Sequence, residues 1–234
     1  MRILVACEES QAVTIELRRL GHEAYSCDLQ DCSGGHPEWH IKGDVLRLIN
    51  GRCRFQTMDG EWHEIAGTWD MIIAHPPCQK LSNAGAVNLG RKGCVCETAE
   101  WKKRFLEERQ KAIGVFMAFI NADCDKVCVE NPDGYMNTHF SKPTQHIEPY
   151  FFGDPWKKKT ALWLKGLPPL QPTNMVDPKG KWVQQNKKGR PAKSEAWEMV
   201  GHRNAKIRSK TFPGIARAMA EQWAGPVQNV SACQ

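Results

Sequence analysis

The chain has 234 residues, of which 41% are hydrophobic and ten are cysteine, and it carries a formal net charge of +6. That length suits one large domain, and no run approaches the roughly 20 apolar residues of a membrane span. Met1-Arg2-Ile3 shows no secretory signal, and the cysteines are scattered through a chain longer than a small disulfide scaffold. A cytoplasmic enzyme domain with reduced thiols, no membrane and no obligate protein partner is expected.

In chain order, Arg2–Cys7 reads as an apolar strand, Ala12–Leu20 as a helix and Glu23–Asp28 as the next strand. This β-loop-α-β order, with an acid closing the second strand, suits a nucleotide-type cofactor. Ser10 and Gln11 stand where they can cap the helix and offer backbone N–H groups to an anionic group of that cofactor. Cys32, His36 and His40 recur at every fourth residue, but Gly34, Gly35 and Pro37 break any helix that would align them. Cys94-Val95-Cys96 is too tight for the usual zinc spacing and no Cys-x-x-Cys occurs, so no metal site is expected. Arg52–Ile65 alternates around Met58-Asp59-Gly60 and predicts a β-hairpin.

The strand Trp69–Ile73 leads into Ala74-His75-Pro76-Pro77-Cys78-Gln79. A strand of an α/β sheet delivers its C-terminal residues to the ligand crevice, and two prolines stiffen the loop that holds the thiol. A nucleophile gains from such a fixed position, although a free cysteine is also an ordinary small buried residue. The loop Asn83–Glu100, with Gly85, Gly90 and Gly93, is long enough to be a lid. Trp101–Ile120 has helical apolar spacing and packs on the sheet. Lys126–Asn131 is a further strand ending in Glu130-Asn131-Pro132, so two strand ends bring Cys78 and Glu130 to one edge. The segment Lys179–Lys210 holds ten Lys or Arg against two acids, a footprint for phosphate contact, with Trp182, Trp197, Gln184, Gln185 and Asn186 to stack on or read bases. A solvated loop is the competing reading, given Gly180, Gly189 and Pro191.

The string PPCQKLSNAG resembles the proline-cysteine motif of the DNA cytosine-C5 methyltransferases, and Glu130-Asn131-Pro132 resembles their Glu-Asn-Val motif. Lys157–Leu164 stands where that family has a Gln-x-Arg-x-Arg strand, with lysines in place of arginine, and Lys210–Ala220 resembles its closing turn and helix. Cys7–Ala12 stands for a Phe-x-Gly-x-Gly loop without its glycines. The resemblance spans Arg2 to about Ala224. It implies an α/β, Rossmann-like fold dependent on S-adenosylmethionine, with a mostly parallel sheet and flanking helices. Residues 1–224 would be one catalytic domain, with a short basic insert at about 168–208 and a frayed tail over 225–234.

By the same resemblance, Cys78 adds to C6 of cytosine and Glu130 engages its N3 and N4 edge. Ala6, Glu8, Ser10, Gln11, Asp28, Asp44, His75, Pro76 and Thr211 would hold S-adenosylmethionine. Gln79, Ser82, Asn131, Lys158, Lys159 and Thr160 would hold the DNA substrate, and which lysine replaces the family arginine is open. The alternatives are C5 methylation of RNA or a free nucleotide, amino-group methylation (an aromatic residue would then follow the prolines), and a degenerate fold that only binds nucleic acid.

Overall fold

Three buried runs, Ile3–Ala6, Ala24–Cys27 and Met71–Ala74, give the sheet its centre, because a parallel strand covered on both faces is largely apolar, the one polar member, Ser26, being hydrogen-bonded to His40. The computed structural model describes residues 1–83, 98–178, 182–185, 191–194 and 209–227, the two short segments by backbone alone. The strands are β1 (Arg2–Ala6), β2 (Glu23–Asp28), β3 (His40–Lys42), β4 (Cys53–Gln56), β5 (Trp62–Ile65), β6 (Met71–Ala74), β7 (Val127–Asn131), β8 (Gln145–Ile147) and β9 (Thr160–Lys165). Two more, β10 (Trp182–Gln185) and β11 (Pro191–Ser194), pair antiparallel within the basic segment. The helices are α1 (Ala12–Arg19), α2 (Ala99–Ile120), α3 (Tyr135–His139) and α4 (Pro213–Trp223).

Seven strands form one α/β sheet in the order β3-β2-β1-β6-β7-β9-β8. The pairs from β3 through β7 are all parallel, while β9 runs antiparallel to both of its neighbours. The architecture is compatible with a Rossmann-like fold. Chain order runs outward from β1 to β3 and then resumes on the other side at β6, so β1 and β6 bracket the topological switch point where open α/β sheets bind ligands. The antiparallel pair β4–β5 lies outside this sheet, turning through Thr57–Glu61 around Asp59-Gly60.

Side-chain alternation sorts the core into two faces. Leu4, Ala6, Ile72, Ala74, Val127 and Val129 pack with Phe116 and Phe119 of α2. Ile3, Val5, Met71, Ile73, Cys128 and Leu162 pack with Val13 and Leu17 of α1 and Ile215, Met219 and Trp223 of α4. Each fully buried side chain of this size contributes about 1.5–3 kcal/mol.

Three sequence expectations need correction. The strand expected over Lys157–Leu164 begins only at Thr160, the first residue paired across the ladder to Ile147, so Lys157–Lys159 belong to the preceding irregular segment. The ladder starts where burial starts: Thr160–Trp163 are buried, whereas Lys157 and Lys159 are exposed. The first strand also stops at Ala6, because Cys7 takes a left-handed φ of 58° that no strand accommodates. The loop expected over Asn83–Glu100 ends earlier, since α2 begins at Ala99 with Thr98 as its cap; residues 84–97, most of the basic insert and most of the tail lie outside the described residues. Among the described residues no helix is long and apolar enough to cross a membrane.

Candidate active site

The loop after β1 is built on two non-glycine residues in left-handed conformation, Cys7 and Gln11, both at φ 58°. They supply the backbone geometry that glycine provides most cheaply, in a loop where glycine is absent. The cap of α1 comes from neither Ser10 nor Gln11, contrary to expectation. Gln11 occupies the N-cap position without a capping side-chain bond. Its amide is instead spent on the neighbouring loop: Nε2 donates to the His36 carbonyl at 2.8 Å, and Oε1 accepts from the His36 N–H at 3.1 Å.

Glu8 does the capping. Its carboxylate accepts from Val13 N at 2.7 Å, Thr14 N at 3.3 Å and Thr14 Oγ1 at 2.7 Å. A carboxylate is favoured there by the unpaired N–H groups and positive end of the helix. Burial nevertheless dominates and raises the Glu8 pKa, against the charge of His75 and these three hydrogen bonds. The helix N-terminus that was expected to receive a cofactor anion is therefore already filled by a side chain.

The wall beyond is acidic. Asp28 ends β2 and accepts from Gln30 N at 2.9 Å, and Asp44 accepts from Leu46 N at 3.0 Å. Both carboxylates act on Cys7, whose thiol is pushed up to about 12, first by burial and then by these charges. Glu9 is buried in the same loop.

On the other side of the switch point, β6 hands the chain to His75, whose N–H donates to the Ala6 carbonyl at 2.9 Å and pins the motif loop to the end of β1. The neighbouring strand end fastens it again, because Asn131 Nδ2 donates to the Pro76 carbonyl at 3.0 Å. Cys78 then opens a tight turn whose carbonyl accepts from Leu81 N and Ser82 N at 3.0 and 2.8 Å. Ser82 bridges to Gly134, where a side chain would meet the Leu81 carbonyl at 2.0 Å. Cys78 is thus held by β6, β7 and the loop that follows β7.

Alternation along β6 and β7 sends Ile73 and His75, and Cys128 and Glu130, to the same face. There His75 Nδ1 lies 3.3 Å from Glu130 Oε2, the two side chains being 11% and 22% exposed. Burial opposes ionisation of Glu130, yet the hydrogen bond and charge of His75, with the Lys158 ammonium, outweigh it and hold the carboxyl below its ordinary value. Burial and then the Glu130 charge raise the Cys78 thiol, while Lys158 pulls it down. Cys78, Glu130 and Lys158 are therefore one electrostatic group.

The lysines divide by role. Lys159 forms a 2.8 Å ion pair with Asp133, which also receives His146 Nε2 at 2.7 Å. Lys158 lies 5.7 Å from the centre of the Phe212 ring and acts on both Cys78 and Glu130, so it is the lysine that faces the site. Thr160 is buried and donates to the Lys158 carbonyl at 3.1 Å, which shapes the bend carrying Lys158. Gln79 is exposed beside the loop, and Thr211 is half-buried just before α4.

Two features were missed in the sequence. One is Phe212 opposite Lys158. The other is Asp154, whose carboxylate accepts from Gly214 N at 2.8 Å and seats the start of α4. The signal for both was weak: an aromatic residue before a Pro-Gly helix start, and an acid distant in sequence. Among the described residues no cluster of His, Cys, Asp and Glu is arranged to hold a metal ion. Compared with models of protein families and with curated proteins, the chain gives no match.

Proposed function

We propose that this protein transfers a methyl group from S-adenosylmethionine to C5 of cytosine in DNA, with Cys78 as nucleophile at C6 and Glu130 as the group that handles the N3 edge. The single observation that carries the reading is that paired β6 and β7 end in the Cys78 loop and in Glu130, the two fastened by the 3.0 Å Asn131–Pro76 hydrogen bond, with Lys158 acting on both side chains.

The switch-point crevice supports this cofactor by its charge. A dinucleotide needs free helix N–H groups for its phosphates. Here Glu8 occupies them, and Asp28 and Asp44 line the approach. A phosphate-free, positively charged ligand is complementary to such a wall. Asp28 at the end of β2 stands where ribose hydroxyls are bound in sheets of this kind. When bound, S-adenosylmethionine supplies an electrophilic methyl group on a sulfonium.

The resting ionisation fits thiol addition. With the Cys78 pKa raised and the Glu130 pKa lowered, the pair rests as thiol and carboxylate. On addition, sulfur bonds to C6, the C5–C6 double bond is lost, and the proton that leaves the Cys78 thiol is relayed through the Glu130 carboxylate to N3. C5 becomes nucleophilic and would take the methyl group, the bonding pair of the broken C–S bond staying on the cofactor's sulfur as a neutral thioether. Loss of the C5 proton to solvent and expulsion of Cys78, with the N3 proton returned through Glu130 to sulfur, then restore the ring and the resting thiol and carboxylate. Lys158 offsets negative charge at the thiolate, and the basic segment Lys179–Lys210 would hold phosphates of a duplex from which the base has been flipped.

The test is nucleoside mass spectrometry of DNA from a host without its own cytosine methylation, expressing the wild-type chain or Cys78→Ser. 5-Methylcytosine that depends on Cys78 is the expected result. An unmodified DNA pool with abundant soluble protein would overturn the reading.

A further inference from the structure

His75 has a half-used side chain at the centre of this site. Its Nδ1 is paired with Glu130, but its Nε2 is buried with no hydrogen-bond partner among the described residues. Buried polar atoms are nearly always satisfied, and an exception in a crevice marks a place where a ligand or water completes the bonding. Asn131 Oδ1, on the side chain that fastens the same loop, is a second such atom.

Because Glu130 is ionised, it can only accept, so Nδ1 carries the proton toward it and Nε2 is the ring's unused nitrogen. Among the described residues, Glu130 Oε1 has no hydrogen bond, so holding Oε2 leaves the other oxygen to point elsewhere. The charged and titratable groups facing the pair are Glu8 from the loop after β1, Cys78 from the motif loop, Lys158 from the segment before β9, and Cys128 on β7 itself. His75 thus stands between the carboxylate that caps α1 and the carboxylate at the end of β7.

We propose that His75 is a positioning residue that joins the two halves of the site: Nδ1–H fixes Glu130 so that its second oxygen meets the target base, and Nε2 completes its hydrogen bonding on the bound ligand. The orientation of Glu130 toward a base rests on the methyl-transfer reading, whereas the hold of His75 on Glu130 does not.

The experiment follows the Glu130 carboxyl carbon by NMR in protein labelled with 13C-glutamate, the signal being assigned by its loss in Glu130→Gln. In the wild type the titration midpoint is expected below the ordinary glutamate value. In His75→Leu, which fills the space without a donor, it is expected to rise by about one pH unit. The same midpoint in both proteins would overturn the proposal. Should His75→Leu fail to fold, Glu130→Gln provides the reciprocal measurement. The His75 ring signals in long-range 1H–15N spectra are expected to show protonated Nδ1 in the wild type and to move when the carboxylate becomes an amide, and unmoved signals would overturn the proposal. In a methylation assay, His75→Leu lowers kcat with little change in KM for DNA, and His75→Asn, which retains a donor, restores part of it. A wild type without methylation would remove the methyl-transfer reading while leaving the titration result intact.

Discussion

Cys78 and Glu130 carry opposite shifts, and that opposition has consequences at the residue scale. Glu130→Gln keeps the shape but cannot carry a proton, so kcat is expected to fall by about 10²- to 10⁴-fold, measured by methyl incorporation at saturating DNA. Its stability effect has a defined sign. A carboxyl held below its ordinary 4.5 in the fold stabilises above that value and loses the contribution as pH falls through the folded value. The stability difference between wild type and Glu130→Gln, followed by urea unfolding, should therefore shrink on acidification below about pH 4.5. Glu8 behaves oppositely: its raised pKa means that the contribution of its protonated form is full below 4.5 and is lost as pH rises through the folded value. Removing its capping oxygens in Glu8→Ala should cost about 0.5–2 kcal/mol of unfolding free energy, read from the urea midpoint at constant slope. None of these three environments is visible in composition. In the sequence Glu8 was read only as a cofactor-binding residue, and its role as a cap follows from Cys7 and Gln11 turning the loop back on itself.

At the scale of elements, the helices and the parallel strands were largely legible. Ala12–Arg19, Glu23–Asp28 and Val127–Asn131 lie within a residue or so of their expected bounds, because period and burial agree there. The Lys157–Lys159 run was not, since a charged run beside an apolar one does not reveal where a ladder begins. The antiparallel direction of β9 was equally hidden, because direction follows from which neighbour the returning chain reaches. The start of α4 offers a test of element docking. Gly214 approaches the Phe152 carbonyl so closely that an added Cβ would lie 2.0 Å from it, and the contact is backbone on backbone. Gly214→Ala is expected to destabilise by at least about 1–3 kcal/mol, seen as a lower thermal midpoint, with loss of order at Phe212 and Lys158 as the local consequence.

For the whole molecule, charge is the property that reaches furthest. The acidic crevice around Asp28 and Asp44 and the positive sequence charge of Lys179–Lys210 are of opposite sign in one chain whose net is only +6. A cationic small molecule and a polyanion would each be drawn to the charge of opposite sign. Lys187→Ala and Lys188→Ala together should weaken DNA binding uniformly across sequences and reduce the slope of log K against log salt by about 2, by roughly 1 per phosphate contact. S-Adenosylmethionine or its demethylated product should raise the thermal midpoint, and NAD should not, since only ligands that bind the folded state shift it.

The sequence by itself determined what local order can carry: an α/β succession, a thiol and a carboxylate each at the end of an apolar strand, and a concentration of positive charge near the C-terminal third. Periodicity and strand-end position are written in neighbouring residues. Only the tertiary structure decided that Glu8 fills the helix end, that Lys158 rather than Lys159 faces Cys78, and that His75 spans from Glu130 toward Glu8. Those outcomes depend on residues tens of positions apart being brought within a few ångströms. They are settled by strand order and burial, which no local pattern encodes.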